Sequence, residues 1–219
     1  VVPFWIAVFV ILYDVYVLVR AIYMSVHLLY AYRRLRVLST VNWLERCRQA
    51  HGPMPWESIH HVIVLPTYNE SVEVLRASLR SLQATDFPKV RMHVVVGFEE
   101  RAGAAAQQRA AILEHEFSSQ FKTFLATFHP DGRPGEKRVK SANATWAVQQ
   151  LEPHLQLQGI TVDQVLISNF DSDTVVSPNY FSYLTYAFLT TPDPYRTSYQ
   201  PLPMYNNNLW HAPAFSRVI

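Results

Sequence analysis

The feature that most constrains this chain is an apolar segment near its amino-terminal end, from Pro3 to Tyr32. It is long enough to cross the hydrocarbon core of a membrane, which takes about 20 apolar residues. It has neither the basic leader nor the cleavage site of a signal peptide. Arg33, Arg34 and Arg36 follow directly, and the positive-inside tendency assigns that end to the cytoplasm. We therefore expect a transmembrane helix in a plasma or inner membrane, followed by a cytoplasmic domain.

Polar and aromatic residues interrupt the apolar segment at alternating spacings of three and four, which places them along one helical stripe. They are Tyr13, Tyr16, Arg20, Tyr23, His27 and Tyr30. Charged groups are costly in lipid and normally face protein or water. We expect the stripe to pack against further transmembrane helices. The alternative is a helix that lies on the membrane surface, although such helices are less apolar overall.

The remaining composition excludes some functions. The formal net charge is only +2, and no Lys/Arg stripe interleaves with aromatic residues, so a nucleic-acid partner is not predicted. Cys47 is the only cysteine, which fits a reducing compartment and a structural thiol. The chain begins at Val1 and ends at Ile219 without a closing element. We expect it to be part of a longer protein.

Beyond residue 57, short apolar runs alternate with helical patterns. The predicted strands are His60–Pro66, Val90–Gly97, Lys122–Phe128 and Gln164–Phe170. The predicted helices are Glu70–Thr85, Ala102–Phe121 and Lys137–Leu151, the last with Val139, Ala142 and Trp146 facing inward. This alternation predicts an α/β fold in which a mostly parallel, Rossmann-like sheet is covered by helices on both faces. We divide the chain into a membrane helix at 1–38, a linker at 39–57 and the α/β domain at 58–219.

Ligands of such sheets bind at the carboxyl ends of the strands. The first strand ends in the run Pro66 to Glu70, Pro-Thr-Tyr-Asn-Glu. Taken alone, this run is more typical of a helix start that Thr67 or Asn69 caps. The functional interpretation is a nucleoside shelf made by Thr67, Tyr68 and Glu70. There the tyrosine would present its ring, and the carboxylate would accept hydrogen bonds from base or ribose.

Acidic residues follow two further strands. Glu99 and Glu100 come after the second strand, where either a solvated loop or a contact with the nucleoside is expected. Asp171 and Asp173 come after the fourth strand and are separated by one residue. Such carboxylates can converge on a divalent cation, Mg²⁺ or Mn²⁺, while a diphosphate supplies further oxygen ligands. Elsewhere in a chain the same pattern would be an ordinary solvated turn.

The third predicted helix carries a basic face. Lys137, Lys140 and Asn143 recur every three residues and would share that face. With Arg133 and Arg138 nearby, they could contact phosphate or sugar oxygens, or they could be a solvated surface.

Taken together, these stretches resemble the family-2 glycosyltransferases, in particular the processive membrane branch that includes cellulose and hyaluronan synthases. The resemblance runs from about His60 to Pro178 and is carried by three motifs. They are Pro-Thr-Tyr-Asn-Glu at 66–70, Lys-Ser-Ala-Asn at 140–143 and Asp-Ser-Asp-Thr at 171–174. The resemblance implies a GT-A fold, a divalent metal, a nucleoside-diphosphate sugar as donor, often a UDP sugar, and a polysaccharide or lipid-linked acceptor.

The resemblance also implies roles for individual residues. The residues that would hold the nucleotide are Thr67, Tyr68, Glu70 and one acid of the pair Glu99 and Glu100. Lys140 would lie near the diphosphate or donor sugar. Asp173 would be the chief metal ligand, with Asp171 beside it. The second-strand element here is Gly-Phe-Glu-Glu, where the family usually has aspartates. The family's general base and acceptor motif would lie beyond Ile219. Asn206 to Asn208 and Trp210 fall where the acceptor side should begin, although an asparagine-rich turn has the same pattern.

Two other functions remain open. A nucleotidyltransferase shares metal-binding carboxylates and a parallel sheet, but it accounts less well for the membrane helix. A membrane-tethered scaffold that binds nucleotide without catalysis would differ from an enzyme in turnover alone.

Overall fold

The chain divides into two compact units, Val1–Asn42 and Trp43–Ile219. The structure, a computed structural model, describes residues 2–201. Asn206 to Asn208 and Trp210, predicted to begin the acceptor side, therefore lie outside the described residues.

The first unit contains one long helix, α1, from Val2 to Thr40. None of its residues is buried, and its most apolar window has a mean hydropathy of 2.3. By length and composition α1 could cross a membrane, a criterion that a signal sequence near an amino terminus also meets. The rings of Tyr23 and His27 lie 4.2 Å apart between centroids, so these two members of the predicted stripe share a helical face.

The described part of the second unit, to residue 201, is built on a parallel sheet of four strands: β1, His60–Pro66; β2, Met92–Glu99; β3, Thr123–His129; and β4, Val165–Asn169. Their order across the sheet is β3-β2-β1-β4, and every pairing is parallel. The predicted α/β class and parallel sheet are confirmed. Runs of Val, Ile and Leu explain the strands, since both faces of the sheet are covered and the pattern need not alternate.

Helices cover both faces. The remaining helices are α2, Trp43–Gln49; α3, Val72–Gln83; α4, Gly103–Phe117; α5, Lys140–Leu157; and α6, Tyr180–Thr190. Alternate β1 residues point to opposite sides, so Ile63 and Leu65 pack with α3 and α4, while Val62 and Val64 pack with α5.

Most predicted element boundaries differ from the structure by one or more residues, and two of the differences have a clear physical reason. Residues 39–57, predicted to be a linker, include α2, whose Trp43 ring lies 4.6 Å from Tyr183 of α6. The Cys47 thiol on α2 donates to the Ser182 carbonyl at 3.2 Å, and burial raises its pKa to about 12. β2 begins at Met92 rather than Val90, because residues 89–91 form a short 3₁₀ turn.

The inward face predicted for α5 is wrong. The helix begins at Lys140, after Val139, which is 47% exposed. Its buried residues are Asn143, Ala144, Ala147 and Leu151. The hydrophobic pattern missed this face because a polar side chain, Asn143, occupies its first turn.

Candidate functional site

The predicted site residues come from three segments that the sheet brings together. β1 lies between β2 and β4, and the register pairs Pro66 with Gly97 and Val64 with Asn169. The loops after the three strands therefore leave the sheet at the same edge, which we call the carboxyl edge. None of the predicted site residues lines the cavity of about 520 Å³ beside β4 and α6.

Glu70 holds the loop after β1 in place. Its Oε2 accepts hydrogen bonds from the Thr67 hydroxyl at 2.6 Å and the Tyr68 backbone N–H at 2.7 Å. Partial burial alone would raise the pKa of Glu70, but these bonds, its own backbone N–H and the Ser172 hydroxyl lower it to about 2. The carboxylate therefore stays ionised and holds the loop after β1 through its bonds to Thr67 and Tyr68.

Glu70 does not lie in the first turn of a helix, and neither Thr67 nor Asn69 is a cap. The cap of α3 is Ser71, whose hydroxyl accepts from the backbone N–H of Val74 at 3.4 Å. The run from Thr67 to Glu70 is thus a separate loop between strand and helix.

Tyr68 presents its ring at this edge and is 41% exposed. The guanidinium carbon of Arg101 lies over that ring, 4.6 Å from the centroid. Arg109 donates to the Tyr68 carbonyl at 2.9 Å. Two arginines therefore fix the tyrosine, one through its ring and the other through its backbone.

Both acids at the end of β2 contact neighbouring residues; Glu99 is the last residue of the strand rather than part of the loop after it, and Glu100 begins the next turn. Glu99 is only 6% exposed, and its Oε2 lies 3.5 Å from Nδ1 of His129. The other ring nitrogen of His129 lies 2.9 Å from Glu136. Glu100 accepts from the backbone N–H of Asp131 at 3.3 Å, so it braces the loop after β3. Contact of either acid with a nucleoside stays a prediction.

Asn143 joins the ends of β1 and β2. Its side-chain amide donates to the Gly97 carbonyl at 2.8 Å and to the Thr67 carbonyl at 3.4 Å. Asn143 is 2% exposed, and a Cβ on Gly97 would come within 2.5 Å of its Oδ1. Only glycine at position 97 leaves room for this amide. A contact of Asn143 with the donor stays a prediction.

The loop after β4 is anchored at Ser172, and the residues on either side of Ser172 are exposed to solvent. Ser172 is buried, and its carbonyl accepts from the Ser78 hydroxyl of α3 at 2.7 Å. Asp171 and Asp173 on either side of it are exposed. The fixed backbone turns both carboxylates outward at the carboxyl edge, where ligand oxygens can join them.

Lys140 reaches this loop from the first turn of α5. Its ammonium ion-pairs with Oδ1 of Asp171, and both side chains are substantially exposed. Lys137 precedes α5, so it does not share the predicted helical face with Lys140. Arg138, predicted to lie near a phosphate, pairs with Asp131 at 2.9 Å.

A divalent metal fits this arrangement only together with a ligand. Among residues 2–201, no three His, Cys, Asp or Glu side chains are grouped so that they could hold a metal. Asp171 and Asp173 offer hard carboxylate oxygens, and Mg²⁺ commonly takes one or two carboxylates with substrate phosphates and water. The pair therefore suits a cation that arrives with a diphosphate.

Comparison with known proteins assigns neither a family nor an activity to this chain. No protein-family model matches the chain, and no curated protein matches it significantly. A crystal structure of S. aureus TarS 1–349 is similar at 20% identity and a TM-score of 0.41, covering 59% of this chain and 32% of that one. The mannosyltransferase PcManGT from Pyrobaculum calidifontis, solved with GDP-Man and Mn²⁺, is similar at 15% identity and a TM-score of 0.38, covering 75% and 40%. The chain thus spans less than half of either protein, and at this similarity neither activity transfers to it.

Several contributors to the carboxyl edge were not predicted from the sequence. They are Arg101, Arg109, His129 and Ser172. For Arg101, the adjacent acids and the end of an apolar strand were a usable signal. The others act through contacts between distant segments, which no local pattern records.

Proposed function

We propose that this chain is the donor-binding part of a membrane-anchored glycosyltransferase with a GT-A fold, of the family-2 type. It would transfer a sugar from a nucleoside-diphosphate sugar, often a UDP sugar, to a polysaccharide or lipid-linked acceptor. One observation carries the proposal: the motif after β1 and the Asp-Ser-Asp motif after β4 meet at one edge. They are linked there through α5, whose Asn143 donates to the Thr67 carbonyl at 3.4 Å and whose Lys140 pairs with Asp171.

In this proposal the nucleoside binds over the ends of β1 and β2. Tyr68 supplies an exposed aromatic ring, and aromatic rings stack readily on nucleobases. The Thr67 hydroxyl is bonded to Glu70, so these two residues hold the shelf in shape. Glu99 and Glu100 would face the polar groups of the nucleoside.

The diphosphate binds towards β4 in this proposal. Lys140 supplies a positive charge beside Asp171, and Asp171 and Asp173 would hold Mg²⁺ or Mn²⁺. When bound, such a cation neutralises charge that develops on a leaving diphosphate. Because Lys140 already pairs with Asp171, its ammonium must share that carboxylate with the cation or move to the phosphates.

The reaction we propose is an inverting displacement. The acceptor hydroxyl attacks the anomeric carbon as the bond from that carbon to the diphosphate oxygen breaks, and the diphosphate leaves with the electron pair. Lys140 stabilises the leaving charge by direct attraction. The proton of the acceptor hydroxyl passes to a general base, for which we assign no residue of this chain.

The membrane part of the proposal rests on α1. Its apolar surface and the arginines at 33, 34 and 36 favour a helix that crosses the membrane with its carboxyl end in the cytoplasm. The polar stripe would pack on further transmembrane helices. This arrangement would present the carboxyl edge to cytosolic nucleotide sugars.

The first experiment is a calorimetric titration of the full chain in detergent with UDP, and separately with GDP, in Mn²⁺ or in EDTA. We expect UDP to bind in Mn²⁺, and EDTA and the variant Asp173→Ala each to weaken binding at least tenfold. Asp163→Ala is the matched control, because Asp163 is an exposed acid at the other end of β4. Folded protein that binds neither nucleotide would contradict the proposal.

A further inference from the structure

Arg101 is placed at the carboxyl edge by the end of β2. It lies in a short 3₁₀ turn, Glu100–Ala102, directly after the strand. Gly103 ends this turn with φ of +64°, a conformation that favours glycine. The backbone therefore turns directly after β2, and Arg101 within this turn lies over the Tyr68 ring of the loop after β1.

The guanidinium of Arg101 has two partners there. One is the Tyr68 ring, 4.6 Å away from centroid to guanidinium carbon. The other is Glu99, whose Oε2 lies 3.5 Å from Nε of Arg101. Glu99 is nearly buried while the Arg101 side chain is 29% exposed. The Glu99 carboxylate therefore holds the guanidinium from the side of the protein interior. Part of the guanidinium remains open to solvent.

We propose that Arg101 is a nucleobase-binding residue of the donor site and sets its affinity for the nucleotide. This inference rests on the proposed function. A guanidinium is planar and stacks on flat π systems. Arg101 lies over the Tyr68 ring and is oriented by Glu99, so its guanidinium forms a flat surface stacked on the tyrosine, against which the base packs.

The location favours the base over the diphosphate as the partner of Arg101. β2, which carries Arg101, and β4, which carries Asp171, are separated by β1. Adjacent strands lie about 4.8 Å apart, so these two strand ends are separated by roughly 10 Å. Lys140 already supplies the cation on the β4 side, which leaves Arg101 at the nucleoside end.

The test compares UMP and UDP binding, with Mn²⁺ present, to the full chain in detergent. The variants are Arg101→Ala and Arg101→Lys. The lysine keeps the positive charge beside Glu99 but lacks the planar guanidinium. Arg46→Ala is the matched control, because Arg46 stacks on Trp43 of α2 at 5.3 Å and lies on a different element. We expect Arg101→Ala to weaken both nucleotides by about tenfold and by similar factors. Arg101→Lys should weaken both to a lesser degree, and Arg46→Ala should change neither.

Three results would overturn the inference. Unchanged or tighter binding by Arg101→Ala would show that the guanidinium only covers Tyr68. A loss confined to UDP would place Arg101 at the β-phosphate. If Arg101→Ala does not fold, the nucleotide affinity of Arg101→Lys is the test. Wild-type affinity in that variant would exclude a role for the planar guanidinium. Failure of the proposed function looks different, because the wild-type chain would then bind neither nucleotide.

Discussion

The loops at the carboxyl edge hold their acids in two different ways. After β1 and β2, Glu70 accepts several hydrogen bonds within the chain and Glu99 is buried against an arginine and a histidine. After β4, Asp171 and Asp173 are exposed, and only the serine between them is buried. The side over β1 and β2 is thus organised by the protein itself. On the side over β4 the two carboxylates are exposed to solvent, and we propose that a ligand binds there.

This difference separates two kinds of mutational effect. Substitutions on the β1/β2 side remove hydrogen bonds or packing from the folded chain, so they should reduce its free energy of unfolding. Substitutions on the β4 side alter charged side chains that are exposed to solvent. They should therefore reduce nucleotide binding and leave the free energy of unfolding nearly unchanged.

The largest loss of stability is expected from Gly97→Ala. The new methyl group would meet Asn143 Oδ1 at 2.5 Å, and overpacking of this kind costs about 1–3 kcal/mol. Urea unfolding of the full chain in detergent, followed by tryptophan fluorescence, measures the loss. In a double-mutant cycle with Asn143→Ala, the two losses should sum to more than the loss in the double variant, because removing the amide removes the clash. Strict additivity would refute the contact.

Glu70→Gln should be the next most destabilising change. The amide oxygen can still accept from the Thr67 hydroxyl, but the bonds are no longer assisted by charge. We expect a loss of about 1–2 kcal/mol in the same unfolding experiment. Glu73→Gln is the control, since Glu73 is an exposed acid in the first turn of α3. Equal stability of the Glu70 and Glu73 variants would mean that the loop after β1 is not held by Glu70.

The contribution of Glu70 should also depend on pH. Its pKa is about 2 in the folded chain against an ordinary 4.5, so its stabilisation is complete above pH 4.5 and is lost as the pH falls towards 2. Burial lowers the pKa of His61 to about 3 and of His93 to about 4, but these groups titrate in both proteins. The difference in unfolding free energy between wild type and Glu70→Gln should therefore shrink from pH 5 to pH 2. A difference that stays constant over this range would contradict the depressed pKa.

Asp171→Asn should have the smallest effect on stability. It removes an ion pair with Lys140 in which the aspartate side chain is 76% exposed, and such pairs contribute about 0–1 kcal/mol. UDP binding in Mn²⁺ should nevertheless weaken, as judged by the same calorimetric titration. A large loss of stability, or unchanged binding, would remove the contrast between the two sides of the site.

Much of the fold could be predicted because it depends on local pattern. β1 has the predicted bounds, since an uninterrupted run of apolar, partly β-branched residues specifies a buried strand. The parallel pairing of the strands and their common carboxyl edge follow from helix–strand alternation, which does not determine the order β3-β2-β1-β4 across the sheet. The loop motifs after β1 and β4 were recognised from residue type and from their position after a strand.

The parts that could not be predicted depend on contacts across the fold. Asn143 looks like a polar surface residue in the sequence, and it is buried only because Gly97 leaves space and two carbonyls need a donor. Arg101 reaches the Tyr68 ring because the chain forms a 3₁₀ turn directly after β2, next to the loop after β1. Both depend on backbone geometry between segments far apart in sequence.

The outer edge of β4 has a practical consequence for handling the protein. Within residues 2–201, β4 pairs with β1 and with no other strand, and Ile167 on it is 57% exposed. An unpaired apolar edge readily accepts a strand from a neighbouring molecule. Purified chain should therefore aggregate as its concentration rises. Ile167→Lys, which places a charge on that edge, is the substitution we would choose to obtain monodisperse samples.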